Sequence, residues 1–238
     1  MKHIEYYKTR WHDTDAERRV RPTQLLVYMQ ETSNRHMTSC GIGLDELRDT
    51  KRLAFILSKI KLSIKAPLYA YEDIAVETWT AEGRGFGFLR FYRILRGDEV
   101  IAECETTWAL VGLDDKKLYR ADAFDFGFVD EPAIDVGLPP RFRVPKNEEL
   151  ELFGERRIVY SDLDYNMHMN NTRYADMLCD FIPLEQVSRI CGISLTYLHE
   201  ARFGDTIRLL GQKNDEGYLF RTINGEGISC IEAQVIIK

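Results

Sequence analysis

Two parts of the chain repeat the same order of hydrophobic and polar patterns. In each part a polar segment precedes a helical pattern, and stretches of alternating polar and apolar residues follow. The clearest alternation covers 59–65 and 102–110, where a period of two is typical of half-buried strands. Turn signals rich in glycine, asparagine or aspartate separate the stretches, at 83–85, 96–98, 114–117, 214–217 and 224–227. Each part is therefore predicted to fold as a strand, a helix and about four antiparallel strands.

Both predicted helices carry start signals. The first begins near Pro22 and the second near Asn171, since proline suits the first position of a helix and asparagine suits its cap. In the second helix apolar residues recur at i, i+3, i+4 and i+7, namely Tyr174, Met177, Leu178 and Phe181. This spacing predicts an amphipathic helix with one buried stripe. A sheet with one long helix on one face is an α+β layer, and two copies suggest a fused pair.

A proline-rich stretch separates the two parts. Residues 121–150 contain four of the seven prolines of the chain. The same stretch carries four aromatic residues that favour contact with the rest of the protein, Phe124, Phe126, Phe128 and Phe142. We therefore predict an N-terminal domain over 1–120, a linker over 121–150 that lies on the protein, and a C-terminal domain over 151–238.

Composition narrows the classes of function. The 238 residues are 45% hydrophobic and 29% charged, which predicts a globular protein with a substantial core. A net charge of -6 does not suit a nucleic-acid binder, which gains affinity by neutralising phosphates. No apolar run reaches the roughly 18 residues of a membrane span. Five cysteines without a C-x-x-C pair favour free thiols. We therefore predict a soluble, cytoplasmic protein.

The densest group of polar side chains lies just before the second predicted helix. Residues 162–171 read Asp-Leu-Asp-Tyr-Asn-Met-His-Met-Asn-Asn. A helix cap explains the last asparagines, but it does not explain a histidine between two methionines. Aspartate, asparagine and histidine are also the residues with which an active site activates water and stabilises charge. A capped turn and a catalytic segment are both compatible with this pattern.

Several metal and cofactor motifs are excluded by residue type. A calcium loop that began at Asp162 would have Met167 at its glycine position and Arg173 at its glutamate position. The pair His199-Glu200 lacks the second histidine of a zinc-binding helix. The glycines at 83–87 have no following helix with which to bind phosphate. We predict neither a metal nor a cofactor.

The polar segment resembles a motif of the acyl-ACP thioesterases of plants and bacteria, a double hotdog family. That motif, D-x-N-x-H-x-N-N, precedes the helix of the second hotdog and is matched in order by Asp164, Asn166, His168, Asn170 and Asn171. A glutamate that the family carries in a later strand is matched by Glu200, and residues 55–59 and 75–79 are similar to the family as well. The resemblance implies a tandem double hotdog, in which each half is a long helix wrapped by an antiparallel sheet.

One departure from the family bears on the mechanism. Ala201 stands where plant members have a cysteine once proposed as the nucleophile. A covalent cysteine mechanism is therefore not available at this position, and direct attack by an activated water remains. We expect either Glu200 or His168 to activate the water, and Asp164 to orient His168. Asn166, an amide that donates without titrating, is the expected donor to the oxyanion.

The resemblance implies hydrolysis of the thioester of fatty acyl-[acyl-carrier protein], which releases a free fatty acid. The expected partner is an acyl-carrier protein carrying a fatty acyl-phosphopantetheine. An acyl-CoA thioesterase on the same fold and a non-catalytic acyl-binding hotdog protein are the alternatives. The sequence does not decide the preferred chain length, nor does it choose between a monomer and a homodimer.

A cluster of three arginines stands out on this acidic chain, at Arg18, Arg19 and Arg21. Such a cluster is either a solvated face or a docking patch for an acidic carrier protein. Both interpretations are kept.

The first half is predicted to lack the catalytic residues. Superposing the two Asp-x-Asp segments places Arg19 opposite His168, and matching one alanine of each half places Lys65 opposite Glu200. Arginine does not act as a base at neutral pH, and lysine would need a large depression of its pKa. We therefore expect one active site per chain, in the second half, while the first half shapes the acyl-chain pocket.

Overall fold

The computed structural model of the chain describes residues 2–238, which form two compact units. The first unit ends at Val136, and the second unit is Gly137–Lys238. The boundary falls inside the stretch predicted as a linker, so each unit includes part of that stretch. Within residues 2–238 no helix combines the length and the apolar character that crossing a membrane requires.

The first unit is one long helix against an antiparallel sheet. Helix α1 is Pro22–Ser39. The strands are β1 (His3–Lys8), β2 (Leu53–Ile64), β3 (Asp73–Arg84), β4 (Gly87–Arg96), β5 (Glu99–Gly112) and the short β6 (Leu118–Tyr119). They lie in the order β1-β3-β4-β5-β2 with antiparallel neighbours, and β6 pairs with β5.

The second unit repeats this plan with shorter helices. Helix α2 is Arg173–Asp180 and α3 is Leu184–Val187. The strands are β7 (Glu151–Arg157), β8 (Ile190–Tyr197), β9 (Thr206–Asn214), β10 (Gly217–Ile223) and β11 (Ser229–Ile237). They lie in the order β8-β11-β10-β9-β7, again antiparallel. The α+β prediction and the order of strand, helix and four strands are confirmed in both units.

Helix α2 is shorter than its sequence pattern predicts. It begins two residues after Asn171, and Phe181 forms its C-terminal cap rather than its last turn. The buried stripe is present in its first two turns, where Tyr174, Met177 and Leu178 are buried. Pro183 follows two residues after the cap. Proline lacks a backbone N–H and disfavours a helical conformation in the preceding residue, which accounts for the early end.

Each part of the proline-rich stretch packs on its own unit. In the first unit the ring of Phe126 is buried, with its centroid 5.5 Å from that of Phe55. Trp79 of the same unit donates from Nε1 to the carbonyl oxygen of Pro132 at 3.1 Å. In the second unit Arg221 donates from Nη1 to the carbonyl oxygen of Pro145 at 2.9 Å. The stretch is therefore an ordered strap on each unit rather than a free tether.

The face of the first sheet that contacts α1 carries a buried polar cluster. Arg90 on β4 donates from Nη1 to Nδ1 of His36 at 3.0 Å and to Oγ1 of Thr78 at 3.3 Å. The ring of His36, on the last turn of α1, stacks on the ring of His3 at 5.2 Å. Burial, aided by the positive charge of Arg90, lowers the pKa of His36 to about 4. His36 is therefore neutral at physiological pH, with its proton on Nε2.

We expect the free energy of unfolding to decrease as the pH falls from 6.5 to 4. The pKa of His36 is 6.5 in the unfolded chain and about 4 in the folded one, so only the unfolded state gains the proton in this range. The loss at pH 5 should be about 2 kcal/mol. Urea unfolding at neutral pH and at pH 5 measures it. The variant His36→Gln, which does not titrate, should lose correspondingly less, and an equal loss in both proteins would contradict the assignment.

Candidate active site

The candidate site lies in the second unit, in the loop between β7 and α2. A short turn, Tyr160–Asp162, opens this loop, and the carboxylate of Asp162 is buried. That carboxylate accepts the N–H of Val159 at 3.0 Å and forms an ion pair with Arg156. The carbonyl oxygen of Asp162 accepts the N–H of Asn170 at 2.8 Å. Asp162 therefore joins the beginning of the loop to its end.

Asp164 shapes the tip of the loop through backbone groups. Its Oδ1 accepts the N–H of Asn166 at 2.8 Å and the N–H of His168 at 3.2 Å. Between them Met167 adopts a φ of 65°, a left-handed conformation that costs a non-glycine residue about 1–2 kcal/mol. The hydrogen bonds of Asp164 stabilise this conformation. Asp164 thus contacts the backbone of His168 and not its ring.

The ring of His168 contacts Glu200 instead. Nε2 of His168 lies 3.1 Å from Oε2 of Glu200. Two backbone hydrogen bonds join the segments that carry these residues: the N–H of Met169 donates to the carbonyl oxygen of Ala201 at 2.8 Å, and the N–H of Phe203 donates to the carbonyl oxygen of Met167 at 3.4 Å. The side chain of His168 is 26% exposed and that of Glu200 is 54% exposed. Water therefore reaches both groups, and a proton can pass between them and the solvent.

The remaining motif residues differ in their contacts. The side chain of Asn166 is exposed on the same loop, and its amide makes no hydrogen bond to any residue from 2 to 238. It is therefore free to donate to a bound molecule. Asn170 instead accepts the N–H and the hydroxyl of Thr172 at 3.0 and 2.9 Å, just before α2. The hydroxyl of Tyr197 donates to the carbonyl oxygen of Asn171 at 2.7 Å. Asn170 and Asn171 thus support the loop.

The sequence interpretation missed the anchoring carboxylates of this site. Asp162 and Asp205 bind backbone groups on the two segments that carry His168 and Glu200. One signal for Asp162 was present in the sequence, because the Asp-x-Asp pattern occurs in both halves and suggests a structural role for its first member. Among residues 2–238, no three or more His, Cys, Asp or Glu side chains are grouped so that they could hold a metal ion.

The first unit contains the same loop with different side chains. Oδ1 of Asp15 accepts the N–H of Glu17 at 2.9 Å and the N–H of Arg19 at 3.0 Å. Arg18 between them has a φ of 67°, close to the 65° of Met167. Arg19 therefore occupies the position of His168, as the superposition of the Asp-x-Asp segments predicted.

The counterpart of Glu200 in the first unit is Pro67, and the predicted match with Lys65 is wrong. In each unit the residue after this position, Leu68 or Ala201, accepts a backbone hydrogen bond of 2.8 Å from the end of the loop. These hydrogen bonds define which residues of the two units are equivalent. Matching a single alanine in each half of the sequence did not give this equivalence. Because proline carries no ionisable side chain, the first loop contains neither a histidine nor a carboxylate at the two positions that meet in the second.

The sequence as a whole matches one known family. The N-terminal domain of acyl-ACP thioesterases matches residues 1–123, and the C-terminal domain of acyl-ACP thioesterases matches residues 146–234. The chain belongs to the acyl-ACP thioesterase family. Its two family domains correspond to the two units of the structure.

Curated relatives in this family are distant in sequence. The chloroplastic palmitoyl-acyl carrier protein thioesterase of Cuphea hookeriana is 21% identical over 211 residues, which cover 82% of this chain and 50% of the relative. The chloroplastic oleoyl-acyl carrier protein thioesterase of Coriandrum sativum is 27% identical over 233 residues, which cover 87% of this chain and 62% of the relative. The chain spans about half the length of the curated relatives it matches first.

Solved structures of family members share the fold. An acyl-ACP thioesterase from Bacteroides thetaiotaomicron superposes with a TM-score of 0.90 at 20% identity, covering 100% of this chain and 98% of the other. The 12:0-ACP thioesterase from Umbellularia californica superposes with a TM-score of 0.86 at 16% identity, covering 100% and 97%. The tandem double hotdog implied by the sequence resemblance is thereby confirmed.

Asp164→Ala removes two hydrogen bonds from the loop of the second unit, and Asp15→Ala removes the equivalent two from the loop of the first unit. We expect each substitution to lower the free energy of unfolding by about 1–2 kcal/mol, because two backbone N–H groups lose their acceptor. Urea unfolding of both variants measures this loss. The ring signals of His168 in NMR spectra should shift only in Asp164→Ala, since only that loop carries the histidine. Destabilisation in one variant alone would show that the loops are not equivalent.

Proposed function

We propose that the protein hydrolyses the thioester of a fatty acyl-[acyl-carrier protein] and that the second unit carries out the chemistry. The observation that supports this most directly is the 3.1 Å contact between His168 and Glu200, on a loop with an exposed asparagine. The names of the relatives, palmitoyl- and oleoyl-acyl carrier protein thioesterases, give the same class of substrate. An acyl-CoA substrate is the alternative. Comparing the hydrolysis rates of acyl-ACP and acyl-CoA with the same acyl chain would separate the two.

The reaction needs few catalytic groups because a thioester is already activated. Sulfur overlaps poorly with the carbonyl group, and a thiolate is a good leaving group. The water oxygen attacks the carbonyl carbon while a base removes a proton from the water. The tetrahedral intermediate then expels the sulfur, which takes up a proton. The products are a carboxylic acid and the thiol of the carrier. A general base contributes roughly 10²–10⁴-fold to such a step, and one oxyanion donor about 10²–10³-fold.

The chain supplies both kinds of group in one place. The pair His168 and Glu200 takes the proton of the attacking water, since either group accepts a proton when His168 is neutral and Glu200 is ionised. The amide of Asn166 donates to the oxyanion, and its exposed position leaves both N–H groups available. Asp164 positions these residues through the hydrogen bonds to their backbone N–H groups.

We further propose that the first unit shapes the pocket for the acyl chain. Its loop carries Arg19 and Pro67 where the second unit has His168 and Glu200, so it lacks the ionisable pair. Helix α1 offers apolar side chains for the wall of a pocket, among them Leu26 and Met29. In this proposal the second hotdog carries out the catalysis, and the first accommodates the acyl chain of the substrate.

Substitutions of the ionisable pair test the catalytic assignment. We expect His168→Ala and Glu200→Gln each to lower kcat at least ten-fold, because each removes a member of the pair that accepts the proton from water. Release of the carrier thiol, followed with a thiol-trapping reagent, measures the rate. Pro67→Ala, at the position equivalent to Glu200, should leave kcat within two-fold of the wild type. Wild-type turnover in a folded His168→Ala protein would exclude the loop from the mechanism.

The arginine cluster is proposed as a docking patch for the acidic carrier protein. Arg18 is exposed, and its guanidinium lies 5.9 Å from the centroid of the Trp11 ring. Arg19 pairs with Glu17 at 3.5 Å, and Arg21 donates to the carbonyl oxygen of His12 at 3.2 Å. These contacts hold the three side chains in place next to the loop of the first unit, where their charge can attract a carboxylate-rich surface.

Reversing Arg18, Arg19 and Arg21 to glutamate should raise KM for acyl-ACP several-fold at low ionic strength. The increase should diminish as salt is added, because salt screens exposed charges. Steady-state kinetics over a salt series measures both effects, and kcat should stay constant.

A matched control carries the same change of charge at another exposed site. Lys51, Lys116 and Lys117 are exposed on the first unit, and their reversal to glutamate should leave KM unchanged. If both triple variants raise KM equally, the effect is one of net charge and the arginines are not a docking patch.

A further inference from the structure

Arg90 is a buried positive charge that the proposed reaction does not use. It lies on the central strand β4 of the first unit and is only 5% exposed. Along the described chain, residues 2–238, no carboxylate forms an ion pair with it, whereas Arg93 on the same strand pairs with Glu103 at 2.7 Å. Removing a guanidinium from water costs several kcal/mol unless other groups compensate. The compensation at Arg90 is incomplete.

Only one nitrogen of the guanidinium is used. Both hydrogen bonds of Arg90, to His36 and to Thr78, come from Nη1. Nε and Nη2 donate to no group among residues 2–238, and together they form the edge that binds a carboxylate with two parallel hydrogen bonds. His36 cannot neutralise this charge, because an imidazole is either neutral or cationic, and burial and Arg90 keep it neutral here. The arginine thus presents an unused, fork-shaped donor edge inside the unit.

A second polar group with unused capacity stands beside Arg90. Thr80 on β3 is its direct partner in the antiparallel register, so the two side chains share one face of the sheet. The hydroxyl oxygen of Thr80 is buried and makes no hydrogen bond. Buried polar groups without partners are rare in folded proteins, and the hydroxyl of Thr80 next to the unused donors of Arg90 indicates a place for a ligand atom.

Apolar aromatic rings surround the same donor edge. The ring of Phe128, from the proline-rich strap, lies 5.1 Å from the guanidinium carbon of Arg90 and 5.2 Å from the ring of His36. Phe126 follows at 6.2 Å from Phe128, and Phe88, two residues before Arg90 on β4, lies 6.2 Å from Phe126. Phe88 and Phe128 are only partly buried. The guanidinium can bind an anionic group, and the partly buried aromatic cluster beside it can contact a hydrocarbon. The two together suit a molecule with one anionic end and one hydrocarbon end.

We propose that the first unit binds a free fatty acid at Arg90. The carboxylate accepts from Nε and Nη2, and Thr80 donates a further hydrogen bond to it. The hydrocarbon chain packs among Phe88, Phe126 and Phe128. An acyl thioester has no carboxylate, so this site selects the free acid over the acyl substrate of the proposed reaction. The site consists of residues of the first unit alone and does not depend on the catalytic assignment of the second.

Calorimetric titration of the full chain with decanoate and with 1-decanol tests the proposal. The two probes share a chain length and differ in the anionic end. Wild-type protein should bind decanoate at least ten-fold more tightly than the alcohol. Arg90→Gln should bring the two affinities to within about two-fold of each other, since its amide lacks the charge and the fork. Phe128→Ala should weaken both probes by a similar factor.

Three controls separate this site from the catalytic one and from loss of folding. His168→Ala should keep the full preference for decanoate, and so should Arg93→Gln, which removes an arginine from the other face of β4. Arg90→Lys retains the charge without the fork and should keep only part of the preference. Equal binding of both probes by the wild type, or an unchanged preference in Arg90→Gln or Arg90→Lys, would overturn the proposal. The wild-type comparison needs no variant and holds even if Arg90→Gln fails to fold.

Discussion

The candidate site depends on a buried aspartate that joins the two ends of one loop, through its carboxylate at the start and its backbone carbonyl oxygen at the end. Asp162 does this in the second unit, and Asp13 does it in the first, where it accepts from the backbone N–H of Arg10 at 2.7 Å. Burial by itself would raise the pKa of Asp13, but hydrogen bonds from Tyr28 and Arg10 lower it below the usual value. The carboxylate therefore stays ionised where a neutral acid would hold the loop less firmly. In the second unit, the segment from Asp164 to His168 lies between the two ends that Asp162 joins.

The two units place their buried and exposed ionisable groups in opposite ways. In the second unit His168 and Glu200 are accessible to water, as a hydrolytic reaction requires. In the first unit Arg90 and His36 are buried among aromatic rings, and the low polarity there shifts the pKa of His36 well below that of a solvated imidazole. One hotdog thus carries ionisable groups that are accessible to water, and the other carries buried ones. The same arrangement of strands supports both environments.

Sequence patterns within short segments predicted more of this structure than matches between segments that are distant in sequence. Period-two alternation located the strands, and the Asp-x-Asp segment with its histidine located the loop, because both depend on neighbouring residues. The match of Lys65 with Glu200 failed, since strand register arises from hydrogen bonds between segments that are distant in sequence. The sequence also did not predict the contact of His168 with Glu200 or the burial of Arg90. Arg90, Arg93 and Arg96 do not alternate regularly, and only strand pairing and the packing of α1 place Arg90 inside.

The hydrogen bonds that shape the loop have a consequence for how the two halves could diverge. Asp15 and Asp164 each bind backbone N–H groups, which every residue except proline possesses. The side chains at the positions of Arg19 and His168 are therefore free to change without loss of the loop conformation. After a duplication, one copy can exchange its histidine for another residue at little cost in folding. The same loop conformation thus accommodates an arginine in one half and a histidine in the other.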